Sequence, residues 1–198
     1  MNLREGQFNL PNLLTLARIA IVPVFVIFLF FDSRDAGFWA AALFSVAAVT
    51  DAVDGWLARR WDVETSFGKF LDPLADKLIV MSALVMLIPM GRVPAWAVFA
   101  ILARDVIVSG IRSIASAEGT VIAASDLGKY KTIFQMVAII GLLLHYKYYW
   151  FFGLEWEIFH VSMHNVGLVF FYISLGLTVW SGVEYFLGFS RFFMKKTS

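Results

Sequence analysis

The chain has 198 residues, 60% of them hydrophobic and 16% charged, with a mean hydropathy of +0.77. That balance excludes an ordinary soluble globular domain and points to one all-α integral membrane domain covering 1–198. The formal net charge of +1 identifies no partner, and the lack of cysteine excludes disulfides, thiolate nucleophiles and sulfur-ligated metals.

In chain order, residues 7–12 form a short interfacial segment, with Asn12 as the expected cap of the first helix and Thr15 at its third position. The apolar run Ile19 to Phe31 follows Arg4 and Arg18 as in a signal peptide. It lacks a small-residue cleavage pattern and ends in Phe31-Asp32-Ser33-Arg34-Asp35, so it is read as a retained first span. At about 20 apolar residues per crossing, six transmembrane helices fit the hydropathy. They are expected near 13–31, 38–59, 70–90, 94–115, 129–146 and 161–188. Neither a repeat nor a linker marks a second domain.

Basic residues near the span ends orient the chain. Arg4, Arg59, Arg60, Lys69, Lys129, Lys131, Arg191, Lys195 and Lys196 fall on one side, whereas the other has Arg34, Arg92 and Lys147. The first side is therefore expected to be cytoplasmic, with both termini inside a cell membrane crossed several times. The aromatic stretch from Tyr146 to Trp156 suits the opposite headgroup layer.

The second and third spans carry the chemistry. Asp51-x-x-Asp54-Gly55-x-x-Ala58-Arg59 is followed, after eight residues, by Gly68-x-x-x-Asp72-x-x-x-Asp76. Asp51, Asp54, Gly55, Ala58 and Arg59 recur on one helical face, and Gly68, Asp72 and Asp76 repeat at i+4. Each carboxylate in an apolar span costs about 2.5–3.5 kcal/mol on insertion scales, so four together call for cations. Oxygen-only ligation favours Mg²⁺ or Mn²⁺, with two ions expected, over zinc, since His145, His160 and His164 map to the far side. Such ions would neutralise a diphosphate. Gly55, Gly68 and Ala58 let a ligand approach the backbone, and Arg59 adds a phosphate donor. Pro73 places Asp72 and Asp76 in the first turns of the third helix. Asp76 is then either a fourth metal ligand or a base.

The pattern D-x2-D-G-x2-A-R-x8-G-x3-D-x3-D resembles the signature of the CDP-alcohol phosphotransferase family at every defined position. The resemblance implies a six-helix membrane fold, homodimeric, using a CDP-linked donor with divalent metal and releasing CMP. It makes Asp51, Asp54 and Asp72 the principal metal ligands and Asp76 a metal-proximal general base. Gly55, Ala58, Arg59 and Gly68, with Asp51, Asp54 and Asp72, would line the CDP-donor site.

Basic residues beside this motif indicate the acceptor. Arg112, without an obvious acidic partner in its own helix, and Lys129, Lys131 and Thr132, which open the fifth span on the same side, form a candidate anion pocket. Arg104 joins them or pairs with Asp105 or Asp51, and Thr15 and Arg18 lie near the same end. The runs Phe8 to Arg18, Arg104-Asp105, Gly110-Ile111-Arg112 and Gly128 to Thr132 resemble the branch of the family whose acceptor is glycerol-3-phosphate. That branch implies transfer of a phosphatidyl group from CDP-diacylglycerol to sn-glycerol-3-phosphate within phospholipid biosynthesis. Alternatives are a sibling enzyme accepting inositol phosphate or serine and, more remotely, an ion-coupled transporter.

Overall fold

The computed structural model describes residues 10–61, 66–117, 126–145 and 162–196, and all regular structure among them is helical. Six helices follow in order: α1 (Leu10–Phe30), α2 (Arg34–Trp61), α3 (Ser66–Leu87), α4 (Ala95–Ala117), α5 (Asp126–Leu143) and α6 (Met163–Lys196). Every expected span has its helix, but several ends differ. Helix α1 opens at Leu10, so Asn12 stands inside the first turn rather than capping it. Pro11 is accommodated there because its missing N–H would have had no helical partner. Residues 7–9 of the expected interfacial segment lie outside the described residues.

Helix α2 starts at Arg34, ahead of the expected 38, because Ser33 caps it. Ser33 Oγ accepts from the Ala36 N–H at 3.3 Å and the Ser33 carbonyl from the Gly37 N–H at 2.9 Å. Asp35 in the first turn complements the helix dipole. Helix α3 starts at Ser66 rather than 70, which places Asp72, Pro73 and Asp76 about one turn deeper than expected. Proline favours a first turn without requiring one, and the turn ahead of Pro73 forms despite the donor it lacks. Helix α6 continues past the expected 188 to Lys196, because hydropathy falls before helical structure ends.

Helix α5 packs along α6, α1 along α2 and α3, and α4 along α6. The α5–α6 contact is close enough to need glycine on both sides. A Cβ on Gly167 would lie 2.7 Å from Leu142 N, and one on Gly141 would lie 2.9 Å from Gly167 Cα. Phe25 and Phe44, with ring centroids 6.2 Å apart, fill the core between α1 and α2.

Helix α3 ends in a left-handed cap. Gly91 has φ 67°, its N–H bonds Ile88 O at 2.9 Å, and Arg92 N–H bonds Leu87 O at 3.1 Å. The turn delivers Arg92 into the interior, where Nη1 donates to Leu142 O at 2.8 Å and Nη2 to Asp32 Oδ1 at 2.9 Å. His145 and His164 pack at right angles beside this group, with ring centroids 4.6 Å apart.

Polarity is arranged inside out. Phe99, Trp180, Trp96 and Phe186 face outward, whereas Arg18, Arg92, Lys131, Gln135, Ser174, Thr178 and Ser181 are buried. Among the described residues one stretch, Met163–Leu187, is long and apolar enough to cross a bilayer by length and composition, and Thr15–Phe30 and Lys77–Leu87 are shorter apolar helices.

Candidate active site

The motif occupies two consecutive helices. Asp51, Asp54, Gly55, Ala58 and Arg59 lie on the C-terminal half of α2, and Gly68, Asp72 and Asp76 on the N-terminal half of α3. For these residues the helical backbone is what the structure describes; α2 and α3 touch each other only briefly, and both pack mainly along α1. Their donor set is carboxylate oxygen alone, which suits a hard divalent cation such as Mg²⁺ or Mn²⁺.

The acceptor candidates divide into two groups. In the first, Asp105 on α4 receives one cation from α5 and one from its own helix. Lys131 Nζ donates to both carboxylate oxygens, at 2.7 and 2.6 Å, and Arg104 Nη1 donates to Oδ1 at 3.1 Å. Lys131 retains 5% of its side-chain exposure, Arg104 15% and Asp105 20%, so this is an ion triad largely removed from water. Of the two partners open to Arg104 in sequence, Asp105 is the one it meets. Its Nη2 donates to Ser181 Oγ at 2.8 Å, and its stem runs past Gly182, where a Cβ would come within 3.1 Å of Arg104 Cγ.

Arg112, two turns further along α4, bonds Tyr185 instead: Nε donates to the phenol oxygen at 3.1 Å and Nη2 donates to it as well. The Tyr185 ring is near both guanidiniums, its centroid 5.9 Å from Arg104 Cζ and 5.2 Å from Arg112 Cζ. Lys129 is exposed near the start of α5. Thr15 and Arg18 are buried on α1, which packs on α2 and α3, so they belong to the aspartate side of the bundle rather than to the Asp105 group.

Three participants, Ser181, Tyr185 and Lys77, are not among the residues expected from the sequence. Ser174, Thr178, Ser181 and Tyr185 follow one another at i, i+4, i+7 and i+11, a buried polar stripe on an otherwise apolar helix, and that spacing is visible in the sequence. The Thr178 hydroxyl bonds Ser174 O at 2.6 Å and that of Ser181 bonds Leu177 O at 2.7 Å, within their own helix. Ser181 and Tyr185 also reach outward to the arginines. The third participant, Lys77, follows Asp76 directly, and its ammonium donates to Ser109 Oγ on α4.

The contacts fix which ends of the helices meet. The middle of α3 reaches the later half of α4, early α5 reaches the middle of α4, and late α4 reaches the later half of α6, so the cationic group lies toward the end of the bundle at which α2 finishes and α3 begins. Arg92, Asp32, His145 and His164 occupy the other.

Residues 8–180 match the family model for CDP-alcohol phosphatidyltransferase. A Bacillus subtilis (strain 168) protein named CDP-diacylglycerol–glycerol-3-phosphate 3-phosphatidyltransferase is 41% identical over 192 residues, covering 91% of this chain and 94% of the relative. A protein of the same name from Escherichia coli (strain K12) is 38% identical over 185 residues, covering 90% and 93%. Another from Rickettsia bellii (strain RML369-C) is 37% identical over 185 residues, covering 93% and 97%. The family match takes in the motif helices and the Asp105 group, and the chain belongs to the CDP-alcohol phosphatidyltransferase family.

Proposed function

We propose that the protein transfers the phosphatidyl group of CDP-diacylglycerol to sn-glycerol-3-phosphate, giving phosphatidylglycerophosphate and CMP. The observation that carries this reading is the complete aspartate motif on α2 and α3 together with a group of cations on α3, α4 and α5, in a chain similar over about nine-tenths of its length to relatives named for that reaction. Outward aromatics, buried ionic groups and the apolar composition support a six-span membrane protein. The segregation of basic residues supports a cytoplasmic active site, with both termini on that side of the cell membrane. A homodimer is part of the same reading.

In the proposed mechanism the lipid donor enters laterally and its CDP group lies against Gly55, Ala58, Arg59 and Gly68, which leave room for it and supply a phosphate donor. The acceptor arrives from the cytosol, its phosphate drawn to the cations of α4 and α5. Asp76 takes the proton of the acceptor's primary hydroxyl, the oxygen attacks the phosphorus bearing diacylglycerol, and the bond to CMP breaks. Two Mg²⁺ or Mn²⁺ ions held by Asp51, Asp54, Asp72 and Asp76 would supply charge neutralisation at the diphosphate and the departing CMP.

Purified protein in detergent, given CDP-diacylglycerol, glycerol-3-phosphate and Mg²⁺, is expected to form phosphatidylglycerophosphate and CMP in equal amounts. Chelation should stop the reaction and added Mg²⁺ restore it. Asp51→Asn should lose more than the roughly 10- to 100-fold typical of an outer-shell partner of a metal. Retained turnover in that variant would overturn its role as a ligand, and indifference to glycerol-3-phosphate in favour of inositol phosphate or serine would overturn the acceptor.

A further inference from the structure

The cations at this end of the bundle differ in how much of their charge is already answered. Lys131 spends two N–H bonds on the two oxygens of Asp105, and Arg104 spends its terminal nitrogens on Asp105 and Ser181. Their shared carboxylate offsets much of their charge. Lys77 is placed differently. It leaves α3 immediately after Asp76, is half-buried, and meets a neutral hydroxyl, Ser109 Oγ, rather than a carboxylate. That hydroxyl gives its own proton to Asp105 O at 2.6 Å, so its lone pair faces the ammonium and two of the three ammonium protons remain for another acceptor. Ser109 sits one turn from Asp105 and one turn from Arg112, at i−4 and i+3 on α4. Lys77 thus brings a positive charge from the aspartate helix to the midpoint between the ion triad and Arg112, which itself bonds a phenol rather than a carboxylate.

We infer that Lys77 is a binding residue for the phosphate of the acceptor, acting with Arg112, while Asp105, Lys131 and Arg104 form the scaffold that holds α4 and α5 around that phosphate. The inference rests on the proposed reaction and assigns the acceptor phosphate to a residue of α3. A phosphate bound there lies next in the chain to the proposed base, which sets the distance between acceptor phosphate and acceptor hydroxyl. A half-buried ammonium that meets no carboxylate among the described residues is also costly in a ligand-free protein, and an incoming dianion removes that cost.

The test compares wild type with Lys77→Met, Lys77→Arg and Ser109→Ala in detergent with CDP-diacylglycerol. Lys77→Met is expected to raise the KM for glycerol-3-phosphate about 10- to 100-fold, the loss usual for one hydrogen bond to a charged group. Its KM for CDP-diacylglycerol should stay within about twofold. Lys77→Arg should recover most of the loss, and Ser109→Ala, which frees the ammonium without removing it, should raise the same KM only severalfold. Binding of inorganic phosphate, followed by calorimetry, should weaken in parallel. A folded Lys77→Met protein with unchanged acceptor KM and unchanged phosphate binding overturns the inference, as does a fall in kcat with both KM values intact. If Lys77→Met does not fold, an unaltered acceptor KM in Ser109→Ala overturns it instead. Wild-type protein that ignores glycerol-3-phosphate yet binds inorganic phosphate through Lys77 would sink the proposed reaction and leave the anion site standing.

Discussion

Asp105 carries one charge and answers two cations from two helices, and at its depth each of the three groups depends on the others. Removing one member of a buried ion cluster leaves an unmatched charge in a medium that solvates it poorly, at a cost of about 3–5 kcal/mol. Asp105→Asn is therefore expected to unfold at markedly lower temperature in detergent, with Asp105→Glu intermediate. An unchanged melting temperature would mean that water reaches Lys131 more freely than its 5% exposure indicates. At this scale the sequence was only partly legible. Arg104, Arg112 and Lys131 stood out as charges in apolar spans, whereas Lys77 was hidden beside the motif that Asp76 closes, and which carboxylate meets which cation depends on helix rotation and depth. Asp51 and Asp105 were equally available to Arg104 until α4 was oriented. Tyr185 and Ser181 were missed because neutral hydroxyls on an apolar helix carry no signal beyond their spacing.

The helices were the most legible layer, since runs of apolar residues divided by short polar segments leave little choice of element. Their ends were less so. Ser33 draws α2 outward through a side-chain bond that hydropathy does not register, and Pro73 sits about two turns inside α3 although proline prefers a helix start. Packing between elements was hidden altogether. Gly141 and Gly167 are unremarkable in sequence, yet they let α5 and α6 meet backbone to backbone, as small residues do where no hydrophobic drive presses helices together. Gly167→Ala would set a methyl 2.7 Å from Leu142 N and 2.9 Å from the Gly141 carbonyl carbon, neither of which is a flexible side-chain end. The expected result is a loss of about 1–3 kcal/mol in stability, measured by denaturant unfolding, with wild-type KM values in whatever protein remains folded.

The molecule as a whole has two unlike ends, one with the aspartate helices and the cations, the other closed by Arg92, Asp32 and the histidine pair. This division was foreseen from the placement of basic residues, because alternating helices return the same chemistry to the same side. The histidines add a pH dependence at the closed end. Partial burial, the Arg92 guanidinium and His164 hold the His145 imidazole below its ordinary value of about 6.5, with Asp32 opposing them. The unfolded chain then binds the proton more readily than the folded one. Stability is complete above about pH 6.5 and falls as the pH drops below it. Thermal melting at about pH 5.5 should come earlier than at about pH 7.5, and His145→Gln should narrow the gap. An equal gap in the variant would place the sensitivity elsewhere.

Arg92 also gives this end a chronology. Asp32, between α1 and α2, lies 60 residues before it, and Leu142, on α5, lies 50 residues after it. A chain made from its N-terminus presents Asp32 and Arg92 well before Leu142 exists. The first four helices must therefore wait, with a guanidinium only half engaged, until the fifth arrives to complete the clasp.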